Sequence, residues 1–499
     1  MATQVEARTY KNYIDGQWVD STTGETFPNI NPATGEVLGY FPKSGKADID
    51  RAVAAAQRAF ARWRAVPAPR RAEILFRAGE LLVQRKEEYA RGMSLEMGKV
   101  LKEARGDVQE AIDMTYFMAG EGRRLYGHTT PSELPDKLCL TFRMPIGVVA
   151  AITPWNFPMA IPSWKLMPAL IAGNTVVFKP STWTPQSAYN LIAVLEEAGL
   201  PPGVVNLVFE REVGVSQYLV EHPGVSLVSF TGSTATGTAI ATICARQNKR
   251  YSLELGGKNA VIVLADADLD LAMDGIVWSA FGTTGQRCTA ASRIIVERPL
   301  VEEVQRRLVE RARALRLGSG VDPQTDVGPV INEEQLKKIR GYMDIGRAEG
   351  ARLLCGGEIA RDGDLGRGYF FQPTVFADVR PDMRIAQEEI FGPVTDIIPV
   401  DSPEEAVRVN NATPYGLVTS VFTRDVTKAM RAVEGITTGL VYVNAGTIGA
   451  EVHLPFGGTR NTGNGHREGG IGALDVFTEW KTVYIDYSGR LQKAQIDVA

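Results

Sequence analysis

Residues 147–158 read GVVAAITPWNFP. Val148 to Ile152 form an apolar run with no polar break, and the run ends in a proline-bracketed polar cluster. An uninterrupted run of that length fits a strand buried on both faces, as in a parallel sheet. The same texture recurs in NTVVFKP (174–180), GVVNLVF (203–209), VSLVSFTG (225–232) and NAVIVL (259–264). It resumes in RIIVE (293–297), SVFT (420–423) and LVYVN (440–444). Each run ends near Gly, Pro, Asn, Ser or Thr, and helical stretches separate them. This alternation predicts an α/β fold with two lobes of parallel strands and crossover helices, divided near residue 257.

Outward from this core, the first part of the chain is helical after a short strand-rich lead. DIDRAVAAAQRAFARWR (48–64) sets Val53, Ala56, Phe60 and Trp63 at helical spacing, and RRAEILFRAGELLVQRKEEYA (70–90) repeats the pattern. Both stripes are read as core. At the other end, EWKTVYIDYSG (479–489) alternates as a strand and needs a partner sheet.

The chain has 499 residues, 44% apolar and 22% charged, which suits a soluble protein of two or three domains. Lys plus Arg is 54 and Asp plus Glu is 58, a net charge of -4. With no basic block, nucleic acid and membrane are not expected partners. The lead MATQVEARTYKNYIDG carries acidic residues and no apolar segment, so a cytoplasmic location is the default expectation. Cys139, Cys244, Cys288 and Cys355 are scattered, and the four histidines have no ligand spacing, so no disulfide framework or metal site is expected.

In open α/β sheets ligands bind beyond the carboxyl ends of the strands. Four polar clusters lie there: TPWNFP (153–158), KPSTWTP (179–185), FTGSTATG (230–237) and LELGGK (253–258). FTGSTATG can open a helix and offer N–H groups to a phosphate, or simply cap a turn. Lys179 is a strand-end cation or a solvated lysine. Asn156 can donate to an oxyanion or make a turn between prolines. Glu254, between apolar residues and two glycines, can be a general base of raised pKa or an ion-pair partner of Lys258. Cys288 sits in FGTTGQRCTAASR (281–293) among small residues, which leaves its sulfur approachable, and Arg287 beside it can stabilise a thiolate. A bland buried cysteine is the alternative.

Taken together, PWNFP, FTGST, LELGGK, GQRCT, EEIFGPV (388–394) and PFGG (455–458), in this order, resemble the aldehyde dehydrogenase superfamily over nearly the whole chain. The resemblance implies NAD- or NADP-dependent oxidation of an aldehyde to the acid. It implies Cys288 as nucleophile through a thiohemiacetal and a thioester, Asn156 as oxyanion donor and Glu254 as the base that activates water. Lys165 joins these catalytic positions. Lys165 and Glu389 match positions that orient the cofactor ribose, and Phe391 one that packs on the nicotinamide end. Trp155, Lys179 and Ser233, with Ile152, Thr153, Ser181, Thr182, Phe230, Gly232 and Leu255, complete the implied cofactor set. Phe157, Trp164, Arg287, Thr289, Glu451 and Phe456 are the implied substrate set.

The resemblance further implies a Rossmann-like cofactor domain (1–125 and 145–256) and a catalytic domain (257–470). A small β oligomerisation element (126–144 and 471–499) would join the tail strand TVYIDY to the hairpin region LCLTFRMP (138–145) of a neighbouring subunit. A dimer or dimer of dimers follows. Glu254 favours hydrolysis to the free acid, and a CoA-acylating enzyme, which generally lacks this glutamate, is the alternative.

Three departures stand out. Thr182 replaces a glutamate typical of NAD-preferring relatives, which predicts that NADP is accepted and leaves a preference for it open. The stretch FEREVGVSQYL (209–219) is poor in glycine, with Arg211 either near a 2′-phosphate or in a surface loop. GNGHREGG carries an extra residue, His466, which unsettles the alignment at Glu468. Arg287 and the polar residues Glu451 and His453 point towards a semialdehyde or another polar aldehyde.

Overall fold

The computed structural model describes residues 8–497; the first seven residues and the last two lie outside the described residues. Every apolar run named above forms a strand. The first sheet has seven strands. Five are parallel, in the order Arg250–Glu254, Leu227–Thr231, Val148–Ile152, Thr175–Lys179 and Val205–Leu207. The antiparallel pair Asn12–Ile14 and Gln17–Val19 extends its far edge.

The strand Val148–Ile152 is apolar at every position because each face has its own helices. Val148, Ala150 and Ile152 share a core with Ile49 and Val53 of the helix Lys46–Trp63. Val149 and Ala151 point the other way and pack with Leu166 and Leu170 of the helix Ala160–Ala172. Fully burying one aliphatic side chain contributes about 1.5–3 kcal/mol, so a polar residue anywhere on this strand would be costly.

The second sheet also has seven strands: Arg352–Cys355, Thr374–Ala377, Val394–Val400, Ala291–Glu297, Asn259–Val263, Val418–Phe422 and Leu440–Val443. All pairings are parallel except the first. The chain passes from the first sheet to the second in four residues, Leu255–Lys258. Gly256 and Gly257 make this crossing possible. A Cβ on Gly256 would collide with the carboxylate of Glu389, and one on Gly257 would lie 2.8 Å from the carbonyl oxygen of Cys288. The crossing therefore brings the ends of both sheets to one place.

A third, three-stranded sheet joins Thr129–Pro131, Lys137–Pro145 and Thr478–Asp486. This corrects the expected pairing of the tail strand. Its hairpin partner belongs to the same chain, with nine residues in register from Thr478 opposite Pro145 to Asp486 opposite Lys137. The short helix Ala473–Phe477 explains why. Its Leu474 and Phe477 are buried in the core of the first lobe, which delivers the following strand beside its own hairpin.

Candidate active site

Cys288 is set by a loop held in an unusual conformation. The helix Leu269–Phe281 ends at Gly282, and Thr283 (φ 51°) and Thr284 (φ 59°) are left-handed. Such residues persist only where their surroundings hold them. Here the Glu103 carboxylate accepts the Thr283 N–H at 2.9 and 3.0 Å, and Thr284 Oγ1 donates to Gly328 O at 3.0 Å. Arg287 Nε donates to Thr283 Oγ1 at 2.8 Å. Asn259 Nδ2 then donates to Cys288 O at 2.6 Å and fixes the residue itself.

Two cavities meet at Cys288, and Ile161, Thr231 and Leu255 line both. The first contains Trp155, Asn156, Gly232, Ser233, Glu389 and Phe391. Trp155 and Phe391 meet edge to face at 5.5 Å. Gln335 Nε2 donates to Phe391 O at 2.8 Å, which helps hold that residue at φ 61°. Gly257 N donates to Glu389 Oε1 at 2.9 Å. Ser233 caps the helix Thr234–Arg246, whose N-terminus opens at this cavity. Asn156 is 3% exposed and its Nδ2 donates to Gln286 O at 3.1 Å, so the amide is locked beside the nucleophile loop.

The second cavity contains Phe157, Trp164, Glu254, Arg287, Thr289, Phe456 and Glu468, with Glu110. Trp164 and Phe456 meet edge to face at 5.3 Å. Two of the Arg287 nitrogens are engaged, one by Thr283 and one by Glu103 at 3.3 Å, and its guanidinium lies against the rings of Phe157 and Trp278.

The electrostatics of the junction are dominated by burial. The Cys288 thiol is pushed up to about 12 by desolvation, then by Glu389, Glu254 and Glu110, while Arg287 opposes them. The expected lowering by Arg287 is present but outweighed. Glu254 has no ion pair with Lys258; its Oε1 is buried without a partner. Desolvation, and next the negative charge of Glu468, hold Glu254 well above the usual carboxylate range, against the pull of Lys165 and Arg467.

Not every expected residue comes to these cavities. Lys165 is fully buried, ion-paired with Glu468 and donating to Ser229 Oγ at 3.1 Å. It serves the Glu254 side and does not stand with Glu389. Glu451 is exposed beside His453 at 3.5 Å, outside the lining of the second cavity. Ile152, Thr153, Lys179 and Phe230 lie at the carboxyl ends of first-sheet strands, with Ser181 and Thr182 just beyond. Lys179 is ion-paired with Glu210 at 3.0 Å. Arg211 is exposed, its guanidinium over the rings of Phe27 and Trp183 at 5.7 and 5.5 Å.

Sequence reasoning did not single out Glu110, Gln335, Lys338 or Glu210, and it left Glu468 uncertain. Glu468 is fixed by paired backbone bonds with Phe456, at 2.5 and 2.7 Å. Glu110 rides on the helix Leu101–Glu121. Its signal exists only in three dimensions, opposite Trp164 and Arg287.

Comparison with known proteins agrees with this geometry. The sequence profile described as the aldehyde dehydrogenase family matches residues 18–483. The alpha-ketoglutaric semialdehyde dehydrogenase of Bacillus subtilis (strain 168) is 42% identical over 486 residues, covering 97% of this chain and 100% of the relative. The 3-sulfolactaldehyde dehydrogenase of Pseudomonas putida is 41% identical over 471 residues, 94% of this chain and 96% of its own. Among solved structures, the betaine aldehyde dehydrogenase of Staphylococcus aureus in complex with NAD+ superposes with a TM-score of 0.94 at 36% identity, covering 97% of this chain and 96% of that one.

Proposed function

This chain belongs to the aldehyde dehydrogenase family and is an NAD(P)-dependent oxidoreductase, and from that premise we propose how its residues work and what they act on. The observation that carries the reading is that Cys288 lies where two differently built cavities meet. The cavity of Trp155, Glu389 and Phe391 suits the nicotinamide half of the cofactor. Two local features fit such a group: the capped N-terminus of the helix Thr234–Arg246 suits a phosphate, and Thr231 Oγ1 is buried without a partner. When bound, the cofactor supplies a hydride acceptor.

As the Cys288 thiol passes its proton to Glu254, which releases it to solvent, the sulfur bonds to the aldehyde carbon and the carbonyl oxygen takes up the negative charge. Asn156, already oriented by Gln286, and the Cys288 N–H stabilise that charge. Collapse of this adduct expels hydride and leaves a thioester on Cys288. Glu254 takes a proton from water, the water oxygen bonds to the acyl carbon, and the acid leaves as the thiol is restored. Glu468 and Lys165 adjust Glu254 from behind: one raises its proton affinity and the other restrains it.

The substrate class we propose is a semialdehyde or other polar aldehyde carrying a distal anion. Arg287 lines the second cavity and Glu110 faces the same space. Burial, then Asp107, raise the Glu110 carboxyl to about 8, against Arg287 and Lys99, so it is mostly neutral near pH 7 and does not repel an anion. Relatives named for alpha-ketoglutaric semialdehyde and 3-sulfolactaldehyde support this class. Both NAD and NADP enter the reading, because Thr182 sets no charge against a 2′-phosphate.

We also propose a homo-oligomer acting in the cytoplasm. Thr478–Asp486 is an edge strand, and Trp480, Tyr484 and Ile485 are exposed on it. The governing test follows reduced nicotinamide with purified enzyme, matched neutral and carboxylated aldehydes, and Cys288→Ala in parallel. Turnover by the wild type alone, faster on the carboxylated aldehydes and independent of CoA, supports the reading. Wild-type protein that reduces neither cofactor with any aldehyde refutes it. Size-exclusion of a chain lacking residues 482–499 tests assembly, and an intact oligomer would count against the edge strand.

A further inference from the structure

Lys179 ends its strand at the carboxyl edge of the first sheet, where ligands of such sheets bind. Its ammonium does not stand free. It lies 3.0 Å from Oε1 of Glu210, a residue only 2% exposed. Ser216, on the helix Val213–Glu221, donates to the same oxygen. The other oxygen, Oε2, is buried with no partner. A buried acceptor left empty is costly, and it points to a donor supplied from outside the protein.

The adenosine riboses of NAD and NADP differ in what they bring to this place. An unmodified ribose brings hydroxyl donors. A 2′-phosphate brings only acceptors and about two negative charges. Glu210 suits the first and repels the second, and it has already neutralised the lysine that a phosphate would seek. Arg211, the next cation along, lies over the rings of Phe27 and Trp183. Thr182 alone does not offset a fixed carboxylate. We propose that Glu210 is the residue that selects the cofactor, favouring NAD over NADP by setting a buried negative charge beside Lys179. This rests on reading the Lys179 edge as the adenosine end of the cofactor site.

The test needs no aldehyde. Calorimetry on the full-length wild type and E210Q would compare 5′-AMP with 2′,5′-ADP, which differ only in the 2′-phosphate. We expect the wild type to hold 5′-AMP about tenfold or more tightly than 2′,5′-ADP, since one unscreened charge at this range is worth that much. E210Q should weaken 5′-AMP and tighten 2′,5′-ADP. Opposite signs of that kind are not produced by a residue that merely supports the loop. Parallel weakening of both ligands, or a ratio unmoved by E210Q, would overturn the proposal. So would a wild type that prefers 2′,5′-ADP, a result that stands even if E210Q fails to fold. Neither nucleotide carries a nicotinamide, so a lack of aldehyde oxidation would fall on the catalytic reading and leave this measurement valid.

Discussion

The buried lysine–carboxylate groups around Lys258 and around Lys165 are built to opposite balances. Lys258, Asp396 and Arg293 are all at most 2% exposed, with Lys258 Nζ 3.4 Å from Asp396 and Arg293 donating to the carbonyls of Lys258, Val409 and Asn410. Two cations there attend one carboxylate, and none of the three lines either cavity at Cys288. Around Lys165 the count is reversed: Glu468 is paired with the lysine, Glu254 feels only its charge, and both carboxylates line the second cavity. A buried cluster with spare cations and no access to a ligand is structural. One with a surplus carboxylate facing a cavity raises the proton affinity of that carboxylate, and a raised affinity strengthens it as a general base once it has ionised.

Breaking the two clusters should therefore have opposite consequences. The largest effect is expected for Glu254→Gln, with steady-state turnover falling by about 10²–10⁴ while a burst of reduced cofactor remains, because the thioester still forms. The same variant should be more stable than the wild type at alkaline pH. Glu254 has a folded pKa raised above its unfolded value. Its contribution to stability is therefore present at acid pH and lost as pH rises through the folded pKa, where an ionised buried carboxylate is left. Calorimetric melting of both proteins across pH checks this, and a destabilised E254Q at high pH would undo the contrast.

Next in size, Lys258→Met should cost about 3–5 kcal/mol of stability, because Asp396 is left buried and uncompensated. Turnover per folded molecule should hold within a few-fold. Denaturant unfolding paired with active-site titration measures both. Catalysis collapsing in a fully folded K258M would place that cluster in the chemistry after all.

The pH profile gives a smaller effect. Turnover of the wild type should rise with pH as Glu254 ionises, and E254Q should lack that limb. Smallest is Glu110→Gln. In the wild type, KM for an anionic semialdehyde should climb as pH passes about 8 and Glu110 becomes charged. In E110Q it should stay flat, with a change of about two- to fivefold at most, a partly screened like-charge contact. A neutral aldehyde should show no such trend.

Legibility in the sequence followed the local physics. Val148 to Ile152 announced its strand because burial on both faces forbids polar residues, so the composition itself carries the message. Cys288, Asn156 and Glu254 were visible because each lies in a run of small or rigid residues with no packing reason to be there. The pairing of Lys165 with Glu468 was not legible, because its helix, SWKLMPALIA, is buried nearly all round and nothing along it tells what its ammonium meets. Glu110 and Glu210 looked like surface carboxylates, since a helix face and a loop do not reveal what packs over them. The tail strand declared its alternation but not its partner. Alternation fixes which face is buried and is silent on which edge, or whose edge, completes the ladder.

The same tail has a consequence for how the protein is made. Asn174 Nδ2, deep in the first lobe, donates to the carbonyl of Phe477, 303 residues later, and Arg250 donates to Thr478 O and Asp475 O. The first lobe is therefore closed by a segment that leaves the ribosome only after the whole second lobe. Until then its strand Lys137–Pro145 lacks its nine-residue partner and the pocket for Leu474 and Phe477 stands open. During synthesis the second lobe can form from contiguous chain while the first waits, reversing the usual amino-to-carboxyl order of domain completion. Nascent chains stalled just short of residue 473 would be the species most exposed to aggregation and most in need of a chaperone.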